Sequence, residues 1–337
     1  MTTTSRVNRT FSLTAVALSA ALLAGCTPEL PVPGAPPVEI ETPVLTEVQG
    51  ADIAAATGEV LTVADEAKEP EDLDTRVTGP ALKIRKAEYK IAKSQDDDKA
   101  ITELPSTLQS MFLTTTSTWP RTMFAVSDRP QNLEPERLLV YTQDSARDDY
   151  KLWAYLTLFP GTTVPMFPSS DAGTTLVTDR EEGLQVTPTE ALENYAALLK
   201  AGTKANKEKF DLEKDTFYTA IAERRTYLKE AAEQIEGSYT ETFKVGEDWK
   251  ALRTLDGGAL VVGTIETSGT LKGEDGAVVT PSALEKAFLK KDAEAKNELT
   301  VKRSAVVAVY IPAKDNTDEQ PRNIGRLMRT TGASIPD

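Results

Sequence analysis

At 337 residues, with 52 Asp and Glu against 38 Lys and Arg and a formal charge of −14, the chain is long enough for two domains and too acidic to favour nucleic acid or anionic surfaces. Histidine is absent and cysteine occurs once. That excludes Ser-His-Asp and Cys-His catalysis, leaves zinc and copper without their usual ligands, and forbids a disulfide within the chain.

The first nine residues, MTTTSRVNR, carry Arg6 and Arg9 and no acid, and an uncharged run rich in Leu, Ala and Val follows to Gly25. This is the layout of a secretory signal peptide over residues 1–25, with an apolar stretch too short for a stable membrane span. The run ends in Leu23-Ala24-Gly25-Cys26, so the single thiol comes directly after small residues. The tetrapeptide resembles the lipobox of bacterial lipoproteins. The resemblance implies that Cys26 accepts a diacylglyceryl group and becomes the first residue of a mature chain anchored on the extracytoplasmic face of the cell membrane. Two acyl chains hold firmly, since each buried methylene contributes about 0.8 kcal/mol. The mature chain would keep 36 basic residues against 52 acids, a formal charge of −16.

Residues 26–46 form the lipidated start and a stalk, with six prolines between residues 27 and 44. Proline fixes φ and removes an amide donor, so the segment reads as extended and semi-rigid.

A first α+β domain is expected over 47–168. It opens on TEVQGADIAAATGEVLTVADEA, where Val48, Ile53, Ala56, Val60, Val63 and Ala67 recur at three- to five-residue spacing, and continues through GPALKIRKAEY. Strand-like runs follow: LQSMFLTTTSTW, RTMFAVS, ERLLVYTQ and YKLWAYLTLF. Residues 169–186, polar and without sustained alternation, read as a linker. A second α+β domain, 187–337, then begins with Thr187 as N-cap, Pro188 as the first helical residue and Glu190 as the third, and with Ala191, Leu192, Tyr195, Leu198 and Leu199 on one apolar face. A second helix, DTFYTAIAERRTYLKEAAEQIEG, precedes SYTETFKV, DWKALRTL, GALVVGTIETSGTLK, LTVKRSAVVAVYIP and NIGRLMRTTG, all read as strands. Helices first and antiparallel strands after, twice over, predict two tandem α+β domains rather than a doubly wound parallel sheet.

The lipobox, the Pro-rich stalk and the segments VTGPALKIRKAEYKIA, WPRTMFAV, RLLVYTQDSARDDYKLWAYLTLFPG and AVVAVYIPA resemble a family of actinobacterial lipoproteins to which no activity is attached. The helix-then-sheet halves are similar to the nuclear-transport-factor-2-like cone, whose curved sheet wraps around helices. That likeness implies architecture only, because such cones host enzymes, binding domains and inert scaffolds.

Neither Ser-x-x-Lys nor Gly-x-Ser-x-Gly occurs, nor a Gly-rich phosphate loop. Carboxylate pairs remain open, as a glycosidase would need, but a linear sequence does not show which acids converge. Asp96, Asp97 and Asp98, and likewise Asp315, Asp318 and Glu319, lack the spacing of a calcium loop and read as solvated turns. Of the three tryptophans, Trp153 inside YKLWAYLTLF reads as core and Trp249 marks a strand start. Trp119, two residues before Arg121, is the better candidate to face a ligand, so Trp119 and Arg121 are the predicted binding pair.

The anchor that the lipobox resemblance implies, the stalk and the lack of catalytic residue types together point to a non-enzymatic, membrane-anchored envelope protein that binds a protein or small ligand, with no cofactor, no metal and no nucleic acid expected. The alternatives are a solute-binding component of a transporter and a carboxylate-based cell-wall enzyme.

Overall fold

Thr46 caps the first helix, α1 (Glu47–Ala67): its hydroxyl accepts from the Gln49 amide at 3.3 Å, and the Gln49 side chain takes the Thr46 amide at 2.9 Å. The computed structural model that shows this describes residues 42–202 and 209–336. The predicted signal peptide, Cys26 and the stalk up to residue 41 lie outside the described residues.

The buried face of α1 overlaps the predicted stripe only in part, with Ile53 and Val60 packed at its margin. Gly50, Ala54, Thr57, Leu61 and Ala64 are buried, while Val48 and Val63 are each 70 % exposed. Close approach selects the small residues: a Cβ at Gly50 would lie 2.6 Å from the Met111 sulfur. The second helix, α2 (Gly79–Gln95), carries Pro80 in its first turn and ends near a short 3₁₀ turn, Asp98–Ala100.

Four strands complete the first half: β1 (Leu108–Leu113), β2 (Arg121–Ser127), β3 (Arg137–Gln143) and β4 (Lys151–Leu158). The second half opens on α3 (Pro188–Ala201), where the predicted Thr187–Glu190 capping box and the predicted apolar face are both present. α4 (Thr216–Glu233) follows, capped by Asp215. SYTETFKV and DWKALRTL are one long strand, β5 (Ser238–Arg253), because a bulge between Val245 and Trp249 absorbs the polar GED interruption. β6 (Ala259–Lys272), the one-turn α5 (Ala283–Lys286), β7 (Glu298–Ile311) and β8 (Arg322–Ser334) complete the chain.

All eight strands belong to one curled antiparallel sheet, in the order β1-β2-β3-β4-β8-β7-β6-β5. The class is thus α+β with a curved antiparallel sheet, as read from the sequence. Two tandem domains, each with its own sheet, are not what is seen, and the described residues pack as one compact unit. The reason lies in burial on both faces of the second-half strands. In β7, Val306, Ala308 and Tyr310 belong to the core shared with α1, α2 and β1–β4, whereas Ala305, Val307, Val309 and Ile311 belong to a second core with α3 and α4.

The segment read as a linker, 169–186, is bonded to both halves. The Thr174 amide donates to the Leu113 carbonyl at 2.8 Å, and the Val177 amide to the Ala251 carbonyl at 2.9 Å. Residues 174–177 therefore connect the ends of β1 and β5, the two outer strands of the sheet. Further on, the Gln185 amide donates to the Pro312 carbonyl at 3.1 Å. Polar composition here marks side chains that face water, while the backbone is paired.

Candidate ligand cleft at the sheet seam

The halves join through β4 and β8, and the join is short: Thr157 pairs with Arg326 and Leu158 with Gly325. Glycine is required at 325, because a Cβ there would lie 2.6 Å from the Thr157 carbonyl oxygen and 3.0 Å from the Leu158 Cα. Beyond these pairs the strands part, and α2 touches both. A cleft of about 750 Å³ opens at this fork, walled by Thr102, Glu134, Leu158, Phe159, Arg326 and Arg329 among others.

Behind one wall is a buried ionic cluster. Glu88 of α2 accepts from Arg85 and from the Tyr155 hydroxyl, each at 3.0 Å, on one oxygen. Its other oxygen takes Arg329 Nε at 3.0 Å and the Thr102 hydroxyl. Arg85 also donates to the Thr102 carbonyl at 2.8 Å, and Arg329 to the Thr102 hydroxyl at 2.8 Å. Burial, and next the Glu88 charge, push the Tyr155 phenol well above its ordinary pKa, so it stays a donor. Glu88 and Arg85 share the helix face of Ala81, Ile84 and Ala92, so they are charges set in an apolar stripe. That placement was the signal available in KIRKAEY, and it becomes legible once the helix face is known.

The opposite wall runs from Arg326 to α4. Asp215 accepts the Tyr195 hydroxyl at 2.7 Å and the Tyr218 amide at 2.9 Å, and Asn323 donates to the Tyr195 oxygen at 2.8 Å. Burial raises the Asp215 carboxyl above its ordinary pKa, and those hydrogen bonds offset the rise only in part. Arg326 lies over the Phe217 ring at 5.6 Å. Burial first, and then the Arg329 charge, lower its pKa.

The predicted pair Trp119 and Arg121 lies elsewhere, at the turn between β1 and β2. Trp119 is 40 % exposed, donates from its indole to Gln143 at 3.2 Å, and has the Arg121 guanidinium over its ring at 4.4 Å. Neither residue lines the seam cleft. Trp153 is buried in the shared core, and Trp249 donates to the Thr189 hydroxyl at 3.1 Å. The acidic turns are tied locally: Asp98 pairs with Lys68 at 2.7 Å and Glu319 with Arg322 at 3.3 Å. Among the described residues, no group of three or more acids is placed to hold a metal ion, and no helix is long and apolar enough to cross a membrane.

Residues 41–334, from just before α1 to the last residue of β8, match the family described as Domain of unknown function (DUF8094), and the chain belongs to that family. No curated protein and no solved structure matches it.

Proposed function

We propose that this protein is a lipid-anchored module of the cell envelope that works by binding a small ligand rather than by turning one over. The anchor follows from Leu23-Ala24-Gly25-Cys26 and places the protein on the extracytoplasmic face of the membrane, with the Pro-rich segment as a spacer. The finer fold reading, cone-like halves similar to the nuclear-transport-factor-2 fold, draws support from a curled sheet that holds helices against its strands, with both halves now sharing that sheet.

The observation that carries the binding reading is the seam cleft itself, a roomy fork with apolar and charged walls and no histidine or thiol to supply a base. On the Arg326 wall, Asp215 is the acid whose carboxyl pKa burial raises. Both of its oxygens are already engaged, one capping α4 and one holding Tyr195, which supports a structural role.

Two measurements test the reading. Cys26→Ala should abolish labelling by a fatty-acid analogue and release the protein from the membrane fraction with its melting temperature unchanged; retained membrane association would sink the anchor. Native mass spectrometry of the protein purified from its own envelope should show a co-purifying small molecule, and Thr157→Trp, which narrows the cleft, should lose it. Equal retention by that variant would remove the cleft from consideration.

A further inference from the structure

We infer that the seam cleft takes its ligand by an oxyanion group, a carboxylate or a phosphate, and that Arg326 is the residue that receives it. This rests on the cleft being a ligand site and adds the chemistry of what enters.

The argument starts from which charges at the cleft are already matched. Asp98 is paired with Lys68 at 2.7 Å, Glu103 accepts the Gln131 amide at 2.8 Å, and Glu134 pairs with Arg137. Arg329 is committed to Glu88. Arg326 is different. Among the described residues it has no carboxylate or carbonyl within hydrogen-bond distance, although it is half-buried and faces the cleft. The Phe217 ring lies against it, and Asp215 and Tyr195 attract it electrostatically without a hydrogen bond to it. A guanidinium carries planar donors that match two oxygens of a carboxylate or phosphate, and leaving it partly desolvated without such a partner is unfavourable. An incoming oxyanion would relieve both the missing hydrogen bonds and the repulsion from Arg329.

The surroundings add two details. The Lys99 ammonium is exposed at the cleft wall with no carboxylate bonded to it among the described residues, although the Lys99 amide donates to Asp97 at 3.0 Å, and it offers a second cation for the same group. Leu158, Phe159 and Leu327 supply apolar surface for the rest of the molecule. The net charge of −14 opposes long-range attraction of anions, so affinity has to come from contact at the arginine rather than from steering. The occupant is therefore a small acid with an apolar body.

The test is calorimetric titration of the full chain with inorganic phosphate, with acetate, and with glycerophosphoglycerol, the water-soluble headgroup of an anionic lipid. At least one probe should bind saturably at one site, about tenfold or more weaker in Arg326→Gln and about two- to threefold weaker in Lys99→Gln. Tighter binding of glycerophosphoglycerol than of inorganic phosphate supports a lipid headgroup as the source, and the reverse order supports a free acid. Absence of saturable binding by all three probes, or equal affinity in Arg326→Gln, overturns the inference. Should Arg326→Gln fail to melt cooperatively, Arg326→Lys replaces it: the charge stays, the two-pronged donor geometry goes, and unchanged affinity overturns the role given to Arg326. A neutral molecule co-purifying in the cleft would overturn the oxyanion while leaving the binding module intact.

Discussion

Arg326 and Arg329 stand three residues apart on β8, line the same cleft, and do different work. Arg329 reaches α2 and helps to neutralise Glu88, which also binds Arg85, Tyr155 and Thr102. Arg326 has an aromatic face against it and feels the Asp215 charge, but no carboxylate is hydrogen-bonded to it. The difference comes from what stands opposite each residue: behind one wall the buried Glu88 carboxylate bonds Arg329, and behind the other are an aromatic ring and the Asp215 carboxylate, whose oxygens are taken by Tyr195 and Tyr218. A charge in a fold is structural when the tertiary partner is built in and available when it is not, and residue type does not distinguish the two.

The largest effect should come from removing one side of the fork altogether. A fragment of residues 187–337 would expose the face of Leu260, Val262, Val306, Ala308 and Tyr310 that packs on the first half. It should aggregate without a cooperative melt; a reversible melt would show that the second half is a domain after all and that the shared core is dispensable.

Within the intact chain, Glu88→Ala leaves two arginines facing a buried void and should cost about 3–5 kcal/mol in urea unfolding. Arg326→Gln in the same assay should cost less than about 1 kcal/mol, because Arg326 bonds no buried carboxylate and only the longer-range attraction of Asp215 is lost. Similar losses for the two variants would erase the distinction drawn between the walls.

Next in size is a pH effect on the Arg326 wall. The folded-state pKa of Asp215 is raised by burial, so the ionised carboxylate works against the fold at neutral pH. As pH falls through that raised pKa towards the unfolded value, this group's contribution to stability should rise. Asp256 provides the opposite sign. Burial pushes it up, but Thr254, Tyr310 and the Gly258 amide together hold it below the usual range, so its contribution is present at neutral pH and lost on acidification. Asn is a competent N-cap, so the difference between wild type and Asp215→Asn across pH isolates the first effect. A flat difference would show that Asp215 titrates normally.

The smallest effect is expected at the pair first singled out in the sequence. Trp119→Ala removes a partly exposed ring and a cation–π contact worth about 0.5–1 kcal/mol, so the melting temperature should fall by only a few degrees. A loss of about 3–5 kcal/mol would assign Trp119 to the core.

Much of this protein was set by local chemistry and could be read directly. Thr187, Pro188 and Glu190 specify where α3 begins, since a capping box needs only residues three apart, and β-branched runs such as SAVVAVYI marked the strands. The absence of histidine and of all but one thiol narrows the chemistry from composition alone. Face and partner were not readable in the same way. Alternation in β7 does not say that both of its faces are buried, the predicted stripe of α1 was right at Ile53 and Val60 but not at Val48 and Val63, and a polar stretch at 169–186 looked like a free linker while its backbone tied β1 to β5. The two arginines of β8 make the point most plainly. Glu88 lies 241 positions from Arg329 in sequence, and only the curl of the sheet brings them to 3.0 Å, because the pairing of charges depends on which strands part and what fills the fork between them.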